Sequence, residues 1–368
     1  MLHPLDDHPV HQTPEPLLHP ASGDRNAYDR FFFNGYTRDG SLYFAAALGL
    51  YPNRGIRDAA FSVVRGGRQH ALHASREAPP GGALRVGPIE VAIEEPMRAL
   101  RLRVAPNEWG LAADLRFAAR SPAVEEPRFV RREQARLVMD ATRFTQFGAW
   151  EGALEVAGER LAVAPQAVLG TRDRSWGIRP VGERPPGPIA GAPQFFWLWA
   201  PIQFENGCTH FDVNEDAGGR WHQFGAAVPL LAPGDDPADA RGIAVARAVE
   251  HRIAWEPGTR RMAHAEIELV APDGARRAIA LEPLLHFQML GSGYLHPEWG
   301  HGMWKGPEAV AGVSWRLADC APLDPRHLHV QTLCRARDGA REGVGILEQL
   351  VIGPHAPSGF AGLLDGAR

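Results

Sequence analysis

The sequence predicts an all-β protein in which two antiparallel barrels of similar size pack together. Three observations carry this reading. Asn-Gly or Asp-Gly pairs recur beside apolar runs, at Asn34-Gly35, Asp39-Gly40, Asn206-Gly207 and Asp273-Gly274, and such pairs tolerate the positive φ angles of tight hairpin turns. The chain holds 40 glycines and 32 prolines, a turn-rich composition that divides it into many short strands. Few segments keep a 3.6-residue apolar period for three turns, whereas many alternate with period two. Consecutive short strands close into barrels because closure removes exposed sheet edges.

Taken in order, residues 1–24 read as a loosely draped lead-in without the apolar core of a signal peptide. Strand character begins at Tyr28 and continues through residues 42–48 and 60–64. The runs 84–86, 89–93, 100–104 and 111–117 follow as a meander. Residues 131–143 are the one candidate helix. The breakers Pro185, Pro186, Gly187 and Pro188 mark a linker over 185–193. That linker separates a first barrel, 25–184, from a second, 194–368. The second carries strand-like runs at 267–270, 279–281 and 345–351.

Composition narrows the function. Lysine plus arginine total 39 against 43 acidic residues, a net charge of −4, and nucleic-acid binders usually show a basic excess instead. An apolar fraction of 45% supplies a real core. No apolar window is long enough for a membrane helix. Cys208, Cys320 and Cys334 are scattered, which suits reduced thiols in a cytoplasmic protein and gives no thiolate metal site. There is no GxGxxG, P-loop or GxSxG motif. No cofactor and no metal are therefore expected.

Three segments carry chemistry. In Gly170–Arg179, strand alternation puts Arg172, Arg174 and Trp176 on one face and Thr171, Asp173 and Ser175 on the other. Buried arginines need carboxylates or a ligand. Around Asn206-Gly207, a two-residue turn pairs Gln203 with His210, so Gln203, Glu205, Cys208, His210 and Asp212 share a polar face suited to acid–base work. Residues 294–304 hold Tyr294, His296, Glu298, Trp299, His301 and Trp304. That is an aromatic wall with polar tips, as an apolar ligand with one oxygenated point requires. His296 and His301 are five apart, unlike the helical HExxH spacing. Glu298, set among tryptophans, is the natural partner for one of the two arginines. Glu348 stands inside an apolar strand, where a charge is partnered or functional.

Gly170, Asp173, Trp176 and Gly177 resemble the Gly-x-x-x-Asp-His-x-Trp-Gly element of bacterial carotenoid 1,2-hydratases and AttH-type proteins, with decalin-forming Diels–Alderases as more distant members. The resemblance implies two lipocalin-like barrels with an apolar ligand near their interface. It also implies acid–base chemistry on alkenes, or cyclisation by shape. Arg174 stands where the family motif has histidine. An arginine stays protonated, so it suits holding a carboxylate or an oxyanion rather than carrying a proton.

These readings converge on a cofactor-independent hydro-lyase or isomerase acting on a terpenoid- or steroid-like molecule. The acid–base candidates are Asp173, Asp212, His296, Glu298 and His301. Arg172, Arg174, Trp176, Tyr294, Trp299 and Trp304 are the candidate binding residues. A non-catalytic carrier of hydrophobic molecules is the alternative. The expected partner is a lipophilic small molecule, with a homodimer allowed and neither nucleic acid nor a membrane span expected.

Overall fold

The computed structural model describes residues 7–9, 22–78, 83–133, 135–183 and 193–368. Most of the expected lead-in and residues 185–192 of the expected linker lie outside the described residues. The protein is all-β, and its two curled antiparallel sheets form two barrel-like domains. No helix is long and apolar enough to cross a membrane among the described residues.

The first sheet runs from Arg68–Glu77 through Ile56–Arg65, Leu42–Tyr51, Ala27–Thr37, Val168–Ile178, Arg136–Val156, Leu111–Ala119 and Ala99–Val104 to Ile89–Glu95. It curls round one core. Phe44, Phe61, Leu72, Val86, Leu102, Phe117 and Trp150 come from strands along its whole width, yet form a single buried cluster. Strand alternation explains this, since every second residue faces inward. Glu308–Arg316, from the second half of the chain, pairs with Arg68–Glu77 and extends this sheet.

The second sheet closes on itself. Ala244–Val245 pairs with Gly219–Val228, while Ala248–Trp255 pairs with Met262–Val270 at the opposite edge. Between them Ala246 N–H donates to the Gly225 carbonyl and Arg247 N–H to the Val270 carbonyl, both at 2.8 Å. The chain thus crosses from one edge to the other without leaving the ladder. Phe196, Phe211, Ile267, Leu281 and Leu347 fill this barrel.

The outward faces of the two sheets meet in a third apolar cluster containing Phe32, Tyr43, Trp197, Trp199, Phe287 and Ile346. The rings of Tyr43 and Phe287 lie 4.8 Å apart there. Such burial of large aromatic surface locks the two barrels together.

Several local expectations are corrected. The described residues of 131–143 are not helical: Phe129–Glu133 pairs with Arg136–Val156, and residues 140–149 of the latter also pair with Val168–Ile178. Sheet pairing overrides a weak helical pattern. Asn34-Gly35 is not a turn but lies inside Ala27–Thr37. Asn34 Oδ1 accepts from Thr171 N (2.8 Å) and Thr171 Oγ1 (2.9 Å). The hairpin after Ile202 turns one residue early, so Gln203 pairs with Cys208 rather than His210. That two-residue slip preserves the two faces but places Glu205 in the exposed turn, away from His210 and Asp212. Asp39-Gly40 and Asp273-Gly274 do lie in turns between paired strands, with φ of +77° at Gly40 and +88° at Gly274.

Gly170 is required by close approach. A Cβ there would lie 2.1 Å from the Asn34 carbonyl oxygen and 2.5 Å from Trp150 Nε1. That indole donates to the same carbonyl at 2.8 Å.

Candidate active site

Alternation in Val168–Ile178 divides the motif between two environments. Arg172 and Arg174 point into the first barrel and are fully buried. The Arg172 guanidinium lies 5.0 Å from the Phe144 ring and 6.0 Å from the Phe117 ring, and pairs with Asp7. Its Nε donates to Gln146 Oε1 at 2.9 Å. Arg174 pairs with Asp29 and stacks 3.9 Å over Phe31. Trp176 meets Phe144 edge-on at 6.5 Å on the same side. The carboxylate partners of these arginines are thus Asp7 and Asp29. Glu298, expected to meet one of them, is instead exposed on the loop after Tyr294. A fully buried guanidinium is stable only with such pairing, so this face is occupied by protein.

The opposite face looks into a cavity of about 490 Å³ between the two sheets. Ser175, Arg143 and Arg179 line it from the first sheet, and Trp197, Asn214, His222, His329, Glu348 and Leu350 from the second. Tyr294, His296 and His301 close one side. The 170–179 strand and the 294–304 segment therefore meet at one cavity. Asp58 helps to anchor that segment: its Oδ2 accepts from Gly302 N at 2.6 Å, where the glycine adopts φ of +70°.

Among the sequence candidates, Asp173 is half-buried on the face that carries Ser175 and Arg143. Burial pushes its carboxyl up to about 7, aided by the charges of Glu126 and Glu348 and opposed by Arg143 and Arg30. His301 is held by Arg30, whose Nη1 lies 2.5 Å from Nδ1, while Nε2 is 3.0 Å from the Ser292 carbonyl oxygen. Burial and the cations Arg30 and Arg179 keep this histidine well below its usual pKa, hence neutral. His296 Nδ1 accepts the backbone N–H groups of Glu298 (3.1 Å) and Trp299 (2.9 Å). Burial lowers its pKa too. Tyr294 packs edge-on against His301 (4.4 Å) and His329 (4.6 Å). Trp299 stacks on His73 at 5.8 Å in a side recess. Trp304 is half exposed, at 50%.

Asp212 is buried behind the cavity with Glu126, Arg143 and His222. Arg143 pairs with both carboxylates, at 3.1 Å to Asp212. Its guanidinium also stacks 4.7 Å over the cavity-lining Trp197. Burial raises the Asp212 pKa. Burial also acts to raise that of Glu126, but Arg143 and His210 more than offset it and hold Glu126 low. Two carboxyls with opposed shifts thus stand side by side.

Sequence reasoning missed one arrangement outright. Glu348 Oε1 lies 2.6 Å from His329 Nε2, and its Oε2 accepts from Gln331 Nε2 at 2.6 Å. Burial works to raise the Glu348 pKa, but His329 and Gln331 outweigh it and keep the group ionised. His329 Nδ1 is buried and makes no hydrogen bond to the described residues. Glu348 stood out in the sequence as a charge in an apolar strand. Nothing local pointed to His329, which meets it only through strand pairing.

The fold and site define a class: a double-barrel β-protein with a ligand-sized, acid–base-lined cavity between its sheets. Within it, the chain belongs to a family of unknown function, DUF8625, whose model matches residues 2–361. No curated protein sequence matches it. Among solved structures it is similar to kievitone hydratase from Nectria haematococca, at 14% identity over 88% of each chain with a TM-score of 0.53. It also matches CghA with Sch210972, at 11% identity over 89% of each chain with a TM-score of 0.47. The first likeness establishes the fold expected from the sequence motif.

Proposed function

We infer that the protein is a hydro-lyase or isomerase that moves protons on a lipophilic, terpenoid- or steroid-like molecule held between its barrels. The observation that carries this is the ionised Glu348–His329 pair in the cavity wall, with the raised-pKa carboxyl of Asp173 on the strand face that presents Ser175 to the same cavity. A carrier needs an apolar pocket with at most one polar anchor, and this cavity offers several. The hydratase named among the solved structures is in keeping with the reading.

In this mechanism Asp173 is the acid. Its carboxyl delivers a proton to one carbon of an alkene, and the aromatic faces of Phe129 and Phe195 in the cavity wall stabilise the positive charge that develops. Glu348 orients His329 so that Nδ1, which makes no hydrogen bond to the described residues, is the base. Attack by water on the cation, with loss of a proton to His329 Nδ1, adds H and OH across the double bond. Loss of a neighbouring carbon-bound proton to the same nitrogen returns a shifted alkene, and the reverse of the first path is dehydration. Arg179 and Tyr294 hold an oxygenated end of the molecule.

Thermal-shift and native mass-spectrometric binding with a panel of terpenoids and steroids tests the cavity. Leu350→Trp, which fills it, is expected to abolish binding seen with the unmodified protein. Binding that survives this change places the ligand elsewhere.

A further inference from the structure

Glu126, His210 and Asp212 are buried together, with one ligand atom from each lying within 4.8 Å of the others. None is near Glu126 in sequence, so spacing could not reveal the group. His210 and Asp212 share a face of Gly207–Asp216, and Glu126 follows the short strand Val124–Glu125.

The orientation of the individual atoms is informative. Arg143 takes Glu126 Oε2 and Asp212 Oδ2. The other oxygens point elsewhere: Glu126 Oε1 lies 3.6 Å from His210 Nε2, and Asp212 Oδ1 lies 3.4 Å from His222 Nε2. Both ring nitrogens of the fully buried His210 and the Oδ1 of Asp212 make no hydrogen bond to the described residues. The His210 ring is flanked by Phe224 at 5.5 Å and Trp199 at 6.1 Å, which fix its direction. An unpartnered buried imidazole is costly, and such a group calls for an explanation.

We propose that Glu126, His210 and Asp212 form a binding site for a divalent transition-metal ion, with Zn²⁺ the best match and His222 beside Asp212 as an outer partner. Imidazole nitrogen and carboxylate oxygen are both zinc donors, and three protein ligands leave the fourth position open. With metal–ligand bonds of about 2.0–2.2 Å, ligand atoms of one tetrahedral shell stand roughly 3.3 Å apart. The 3.6 Å between Glu126 Oε1 and His210 Nε2 approaches that spacing. Arg143 orients the two carboxylates from behind, as outer partners of metal ligands do, and Thr145 Oγ1 donates to Glu126 Oε1 at 2.7 Å. Glu126 and His222 border the cavity, so the ion would polarise an oxygen of whatever lies there. The ligands are none of Asp173, His329 and Glu348, and metal uptake is measured without turnover, so its failure is distinct from failure of the acid–base reading.

The full chain is stripped with a chelator, then titrated with Zn²⁺ by calorimetry and with Co²⁺ by visible absorption. One equivalent of Zn²⁺ is expected, with intense Co²⁺ bands of a tetrahedral site. Asp212→Asn and His210→Gln are expected to lower Zn²⁺ affinity at least tenfold. His222→Ala, a change at the cavity wall, is expected to shift the Co²⁺ spectrum. The proposal is overturned if the stripped protein takes up no stoichiometric Zn²⁺, the outcome if Arg143 alone balances the carboxylates. It is equally overturned if the variants bind Zn²⁺ as tightly as the unmodified chain.

Discussion

Glu348 and His329 meet diagonally across a strand pair, 2.6 Å apart, and the second imidazole nitrogen makes no hydrogen bond to the described residues. The carboxylate fixes the tautomer, because Nε2 carries the proton that it accepts. Glu348→Gln removes that preference while keeping the shape. Turnover of any substrate found for the cavity is expected to fall by about 100-fold or more, the usual worth of a positioned acid or base. Circular dichroism is expected to remain that of a β-protein. An unaltered rate constant would remove the pair from the mechanism.

The acid sets a pH dependence. With its pKa at about 7, Asp173 is an acid below that pH and loses its proton above it. The protonation step is therefore expected to slow as pH rises through about 7, and Asp173→Asn is expected to be inactive at every pH. A rate that climbs through neutrality would contradict the assignment.

The same residue makes a separate stability prediction. Its folded pKa of about 7 lies above the ordinary 3.8, so the folded chain holds a proton that the unfolded chain releases. Stability from this group is complete at pH below 4 and declines as pH rises towards 7. Asp173→Asn abolishes that decline. Melting temperatures of the variant, relative to the unmodified protein, are expected to rise between pH 4 and pH 7. A constant difference would mean that the carboxyl is not held protonated.

Asp7 and Arg172 form a pair in which both side chains are fully buried. Removing one partner strands the other, at a cost of about 3–5 kcal/mol. Asp7→Asn is expected to lower stability in urea unfolding by that order while leaving ligand binding intact. Loss of binding without loss of stability would place Arg172 in the site after all.

Much of the fold was legible in the sequence because hairpin signals and period-two runs are local. Asp39-Gly40 and Asp273-Gly274 lie in turns between strands, and the runs near 60–64, 100–104 and 345–351 lie in strands. The same local logic misread 131–143, where pairing with two neighbouring strands decides the structure. The site was half legible. Alternation separated Asp173 from Arg172 and Arg174, but which face met the cavity depended on Asp7 and Asp29, remote in sequence and already paired with the arginines. His329 and Glu126 carry no motif. Their roles arise only when sheets juxtapose residues far apart along the chain.

Proton transfer at carbon is the central claim, and incubation in D₂O tests it most directly. The protein is mixed with a panel of alkene-bearing and hydroxylated terpenoids and steroids, and the recovered molecules are weighed by mass spectrometry. Hydration, dehydration in equilibrium and alkene shift all carry deuterium onto carbon. The account predicts deuterium at carbon in at least one compound that also binds the cavity, lost in both Asp173→Asn and Glu348→Gln. A cavity that binds such compounds tightly yet leaves them free of deuterium would contradict it, and would make the protein a carrier.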